Sequence, residues 1–104
     1  MKRIVFNTTY HINCSCVQRW LDFVKQHLMP RIEQNSLFSD FRICKVFVGD
    51  SPNDEAFSVQ FCSESRELIE LWNESEGRLI NTYMRKTFGE KVLSFSIFME
   101  EIEL

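Results

Sequence analysis

The sequence contains two histidines, His11 and His27, and these are the side chains best suited to acid–base chemistry near neutral pH. His27 lies seven residues after Trp20, at the edge of the apolar face of a predicted helix. Pro30 should stop or sharply kink this helix near residue 29, which would leave His27 in the last turn, where the helix dipole favours a positive charge. A catalytic role would need a second polar group, and the best candidate is Arg31. We therefore interpret His27 as a helix-terminal residue that packs on Trp20.

The other histidine belongs to an alternating segment, residues 2–12, whose pattern is typical of a strand with two different faces. The alternation places His11 on the same face as Asn7 and Thr9. A surface histidine near the strand end is the simpler interpretation, and a pocket residue is the alternative. The residues proposed for a pocket are Asn7, Thr9, His11, Trp20 and His27.

Four cysteines, Cys14, Cys16, Cys44 and Cys62, raise the question of a metal site. The first two form a C-x-C pair, which lacks the C-x2-C spacing usual in zinc sites, and the other two stand alone in the sequence. We therefore predict four reduced thiols, no bound metal and no cofactor.

Composition limits the classes of partner. The 104 residues carry a net charge of −3, and no segment forms the basic face that nucleic-acid binding requires. No apolar stretch approaches the roughly 20 residues needed to cross a bilayer, and polar residues from position seven onward interrupt any signal-peptide core. We therefore expect a cytoplasmic protein that binds neither nucleic acid nor membrane.

Apolar periodicity predicts six elements in βαββαβ order. The first helix carries apolar residues at three- and four-residue steps, and the second extends for about 20 residues or more from a serine cap to Gly89. This order predicts an α+β, ferredoxin-like fold in which two helices cover one face of a four-stranded antiparallel sheet. Residues 1–104 should form one domain. The predicted strands cover residues 2–12, 41–48, 56–62 and 91–102, with a turn at residues 49–54.

The sheet face away from the helices has an unusual predicted composition. In the last strand we assign Leu93, Phe95, Ile97 and Met99 to the helix side, and Ser94, Ser96 and Phe98 to the other side. The resulting face is too apolar for ordinary contact with water, and it lacks outward aromatic residues on the third strand for stacking RNA bases. We therefore predict a homodimer that packs two such faces around a two-fold axis, partly enclosing a cavity. The residues proposed for this dimer face are Val46, Val48, Ser58, Gln60 and Phe98.

Several short motifs resemble one family. They are Phe6-Asn7-x-Thr9, Trp20, His27-Leu28-x-Pro30, Leu37-Phe38 and Phe88-Gly89-x-x-Val92-Leu93-x-Phe95. Together they span nearly the whole chain and resemble an uncharacterised bacterial family, domain of unknown function 4286. The resemblance implies a ferredoxin-like domain related to dimeric α+β barrel proteins, and it implies no established activity.

Three functional hypotheses follow. The first is a dimeric structural or small-ligand-binding module without catalysis of its own. The second is a cofactor-independent monooxygenase or isomerase with its site between sheet and helices, using Asn7 and His11, which is an argument from fold alone. The third is a regulatory module that recruits another protein through a sheet edge or through the C-terminal residues 100–104.

Overall fold

The computed structural model describes residues 2–47, 49 and 53–104. Its regular elements follow the predicted βαββαβ order, and its four strands form one antiparallel sheet in the order β2-β3-β1-β4. Both helices pack on the same face of this sheet, which is the ferredoxin-like arrangement predicted from the sequence. The strands are β1 (Ile4–Asn13), β2 (Ser39–Val46), β3 (Asp54–Ser63) and β4 (Val92–Glu100).

The first helix, α1, covers residues 17–33 without interruption. It begins as an α-helix at Val17–Phe23, widens into a π-helical segment at Val24–Leu28 and returns to α-helix at Met29–Glu33. Of the predicted stop or sharp kink near residue 29, the stop is therefore wrong, because the helix continues to Glu33. His27 lies in the middle of the helix and not in its last turn.

The π-helical segment explains how α1 continues past Pro30. The N–H of Met29 donates to the carbonyl of Val24, five residues back, and the backbone is therefore already widened where the proline follows. In a regular α-helix the proline ring would collide with the carbonyl four residues earlier. The extra residue in this turn relieves that conflict.

The second helix, α2, covers residues 66–88 and has the same construction. An α-helix at Arg66–Trp72 leads into a π-helical segment at Asn73–Gly77 and then into an α-helix at Arg78–Phe88. Its predicted limits are confirmed, because a serine side chain caps the N-terminus and a glycine with φ of 59° ends the helix. These two residues are Ser65 and Gly89.

Strand register divides the sheet into two faces. The helix face carries Phe6 and Tyr10 of β1 together with Phe57 and Phe61 of β3, all of them buried. The opposite face, called the open face here, has no covering element among the described residues. Its members are Val5, Asn7, Thr9, His11, Asn13, Arg42, Cys44, Val46, Asp54, Ala56, Ser58, Gln60, Cys62, Leu93, Phe95, Ile97 and Met99.

The predicted assignment of the β4 side chains to the two faces of the sheet is wrong. Phe98 pairs with Phe6 and Ser96 with Thr8, so both lie on the helix face, whereas Phe95 pairs with Thr9 on the open face. Phe98 must therefore be removed from the proposed dimer face. Val46, Ser58 and Gln60 remain on the open face as predicted; Val48 and residues 50–52 of the predicted turn lie outside the described residues.

Candidate functional site

The five residues predicted for a pocket do not come together. Asn7, Thr9 and His11 lie on the open face, whereas Trp20 is fully buried between α1 and the helix face of the sheet. The Trp20 ring lies 5.0 Å from the ring of Tyr10 and 5.3 Å from that of Phe57, so this residue belongs to the core.

His27 lies at the contact between the two helices. Its ring centroid is 4.8 Å from that of Phe23 on α1 and 5.0 Å from that of Tyr83 on α2. Its predicted packing on Trp20 is therefore replaced by packing on two other aromatic rings. Arg31, the suggested polar partner, instead forms an ion pair with Glu76, at 3.6 Å. The histidine thus has an aromatic packing role in this structure.

A cavity of about 350 Å³ lies between the helix face of the sheet and the two helices. This volume falls in the range of small-molecule sites, which is about 300–1,000 Å³. Its walls come from three strands and both helices, so it is a feature of the whole fold. The lining residues are Phe6, Thr8, Tyr10, Leu28, Ile32, Val59, Phe61, Trp72, Asn73, Gly77, Asn81, Ser94, Ser96 and Phe98.

Local backbone geometry and small side chains create this space. Both π-helical segments contribute to its wall, through Leu28 on α1 and through Asn73 and Gly77 on α2. On the sheet side, β4 presents Ser94 and Ser96 where larger residues would fill the gap. The serines that seemed to belong on the outer surface thus make room beneath the helices.

Gly77 adjoins one aromatic wall of the cavity. A Cβ atom at this position would lie 3.1 Å from Cζ3 of Trp72 and 3.3 Å from Oδ1 of Asn73. Contacts this short require a neighbour to move. The absence of a side chain at Gly77 therefore leaves room for the indole ring of Trp72 on the same helix, and the position of that ring affects the shape of the cavity.

Hydroxyl groups line the sheet side of the cavity. Thr8 Oγ1 and Ser96 Oγ are 2.8 Å apart and share a hydrogen bond between β1 and β4. Tyr10 is 5% exposed, and no hydrogen bond to its hydroxyl is present among the described residues. Burial raises the pKa of Tyr10 to about 12, so this phenol stays neutral to a higher pH than an exposed tyrosine does.

The cavity is electrically neutral. Among the described residues, its lining contains no Asp, Glu, Lys, Arg or His, and Tyr10 is the one titratable side chain. An isolated charge would lose its hydration here without gaining a counterion, so these walls favour an uncharged, largely apolar guest. Within the described part of the chain, no group of three or more His, Cys, Asp or Glu side chains is arranged to hold a metal ion.

The open face combines a polar centre with an apolar edge. Asn7 Oδ1 accepts hydrogen bonds from Ser58 Oγ and from Gln60 Nε2, the latter at 3.1 Å, and Asn7 Nδ2 donates to Thr9 Oγ1 at 3.2 Å. Beside this cluster, four large apolar side chains of β4 are between 39% and 62% exposed. They are Leu93, Phe95, Ile97 and Met99.

No helix of the described residues is both long and apolar enough to cross a membrane.

Solved structures share the fold across the whole chain at low sequence identity. A dimeric ferredoxin-like protein from an uncultured marine organism has 11% identity and a TM-score of 0.70, with 100% of this chain and 99% of that chain covered. A Bordetella bronchiseptica protein with a proposed assignment as an antibiotic biosynthesis monooxygenase has 12% identity, a TM-score of 0.64 and the same coverage. A Bacillus cereus protein with the same proposed assignment has 17% identity, a TM-score of 0.61 and again the same coverage. Identities this low establish the fold alone.

Sequence comparison identifies a family. Residues 3–102 match the family model described as Domain of unknown function (DUF4286), which confirms the resemblance seen in the sequence motifs. No curated protein matches the chain.

Proposed function

The chain belongs to the DUF4286 family, and from its geometry we propose that it is a homodimeric module that binds a small, largely apolar molecule in the cavity between sheet and helices. The observation that carries this proposal is the neutral cavity of about 350 Å³, which has aromatic walls and a few hydroxyl and amide groups. Binding pockets for small molecules combine these two features, because apolar walls give affinity and a few polar groups fix orientation.

The open face supports the homodimer. Four exposed apolar side chains on one edge strand form a patch of the kind that usually marks an interface. Among the described residues, Arg42 lies on this face and Asp54 lies at one end of it, opposite Asn13. At the other end, near Cys62, Arg3 forms ion pairs with Asp40 and Glu101. The middle of the face therefore carries little charge for two copies to bury. The marine structural neighbour is itself described as dimeric, which agrees with this arrangement.

Hydrogen bonds join Asn7 to Thr9, Ser58 and Gln60, and this polar cluster would then fix how the two sheets align in the dimer. Ser58 and Gln60 already satisfy the Asn7 carbonyl within one protomer, so burying this cluster costs less than burying unpaired groups. Polar groups at the centre of an apolar contact can select one alignment of two surfaces over others, as they do in coiled coils.

We place ligand binding ahead of catalysis. The monooxygenase hypothesis is an argument from fold alone. Two structural neighbours have a proposed assignment of this kind, and a shared fold does not carry an activity with it. Asn7 and His11, the residues suggested for chemistry, lie on the sheet face opposite the cavity. The described cavity walls offer no histidine or carboxylate to act as a base.

Blocking the cavity tests the proposal. The neutral probe 2-naphthamide has 13 non-hydrogen atoms, which suits a space that holds on the order of a dozen water-sized groups. Asn81 and Thr82 are adjacent exposed residues of α2, and of the two only Asn81 lines the cavity. We expect calorimetry to show binding to the wild type and to Thr82→Phe, and at least tenfold weaker binding to Asn81→Phe. Equal affinity for both variants, or no binding to the wild type, would contradict the proposal.

A further inference from the structure

A second, smaller cavity continues from the mouth of the first. It has a volume of about 130 Å³ and shares Asn81 and Ser94 with the larger cavity as a common wall. It lies beside the C-terminal turn of α2 and the start of β4. The rest of its lining is Met84, Arg85, Gly89 and Val92.

Arg85 brings a positive charge to this mouth. It is exposed, and among the described residues it takes part in no ion pair, whereas Arg31 and Arg66 are each paired with a glutamate. The C-terminal end of a helix carries a partial negative charge of about half a unit, which the full charge of the guanidinium exceeds. An anion in this smaller cavity would therefore meet net attraction.

The two cavities together form a neutral apolar chamber that opens beside a cation. We propose that the ligand is an amphipathic carboxylate, with its apolar body in the larger cavity and its carboxylate beside Arg85. This inference rests on the proposed ligand-binding function. The planar guanidinium matches a carboxylate through two parallel hydrogen bonds, and the neutral inner walls disfavour the opposite orientation, which would bury the charge.

An isosteric pair of probes tests this inference. The anion 2-naphthoate and the neutral 2-naphthamide have nearly the same shape and differ in charge. We expect calorimetry at low salt to show that wild-type protein prefers 2-naphthoate by roughly three- to tenfold, the range for one partly exposed charged pair. Raising the ionic strength should reduce this preference, because the pair is open to solvent.

Variants of α2 test whether Arg85 causes the preference for 2-naphthoate. Arg85→Gln should bind both probes with equal affinity, whereas Arg78→Gln, an exposed arginine of the same helix that lines neither cavity, should keep the preference. Melting curves will show that both variants are folded, and Arg85→Lys should restore part of the preference by restoring the charge. Equal binding of the two probes to the wild type, or a preference that survives Arg85→Gln, would overturn the carboxylate inference alone. If neither probe binds the wild type, the ligand-binding proposal fails together with it.

Discussion

Phe98 packs against Phe6 across the β1–β4 pairing, with ring centroids 4.9 Å apart, on the face of the sheet that lies under the helices. The guanidinium carbon of Arg66 lies over the Phe98 ring, 4.3 Å from its centroid. Since successive residues of a strand point to opposite faces, this placement turns Phe95 and Ile97 to the open face. One pair of rings thus determines both what lines the cavity and what the open face offers to a partner.

The molecular mass in solution tests the proposed homodimer through the open face. Light scattering at micromolar concentration should give about twice the 12.4 kDa chain mass. Leu93→Glu should halve that mass, because a charge buried at the contact without a counterion costs several kcal/mol. Leu79→Glu is the matched control, since Leu79 lies on α2 and is 65% exposed, close to the 62% of Leu93. A wild-type monomer at all concentrations, or dissociation by Leu79→Glu alone, would contradict this interface.

The sequence predicted which residues of β4 share a face, but it did not reveal which face lies under the helices. Leu93 and Phe95 are larger and more apolar than Ser94 and Ser96, so hydrophobicity alone assigns the wrong set to the core. The register with β1 decides the matter, and register depends on pairing that is distant in sequence. The cavity was missed for the same reason. Two serines at alternate positions beneath the helices are its clearest sequence signal.

Trp20 and His27 should differ greatly in their contribution to stability. Trp20 is fully buried against Tyr10 and Phe57, so Trp20→Ala should lower the free energy of unfolding by roughly 3–5 kcal/mol. His27 is only half-buried, and His27→Gln should cost about 1 kcal/mol through lost contact with Phe23 and Tyr83. Urea denaturation of both variants provides the measurement. Similar losses for the two would mean that the assignment of core and edge in α1 is incorrect.

Gly77→Ala should affect the cavity more than the stability. Alanine normally stabilises a helix interior by about 1 kcal/mol relative to glycine, but here its methyl group would press on Trp72 from 3.1 Å. We expect the two effects to offset, leaving the free energy of unfolding within about 1 kcal/mol of the wild type. The affinity for 2-naphthamide should fall severalfold as the indole shifts. A full stabilisation with unchanged affinity would show that the indole has room to move away from the ligand.

The pKa of Tyr10 predicts a loss of stability at high pH. Burial raises the pKa of Tyr10 to about 12 in the folded state, above the ordinary value of about 10 in the unfolded chain. Between these values the folded state retains a proton that the unfolded state has lost, so stability falls as pH rises, by about 3 kcal/mol in total. Below pH 10 this contribution is fully present.

The variant Tyr83→Phe allows the titration of Tyr10 to be followed alone. The sequence has two tyrosines, so in Tyr83→Phe the phenolate absorbance near 295 nm reports Tyr10 alone. It should rise only near pH 12 or together with unfolding. Tyr10→Phe should lose less stability than the wild type between pH 10 and 12. A Tyr10 transition near pH 10 in the folded protein would refute the buried placement.

The continuation of α1 beyond Pro30 is a second feature that could not be predicted from the sequence. A proline in a helical pattern predicts a stop because a regular α-helix cannot accept it. The widened turn at Val24–Leu28 removes the conflict, and no short motif marks such a turn. The predicted position of His27 in the last helical turn followed from the expected end of the helix, so that position is wrong as well.

Methyl NMR in the presence of 2-naphthamide tests most directly whether the ligand site is the cavity. The naphthyl ring shifts the resonances of methyl groups close to it, and the two faces of the sheet carry separate reporters. Leu28, Ile32 and Val59 line the cavity, whereas Val46 and Ile97 lie on the open face. We predict saturable shifts for the first three residues and unchanged resonances for the last two. Shifts of Val46 and Ile97 with none at Ile32 would contradict the account and would place the ligand on the open face.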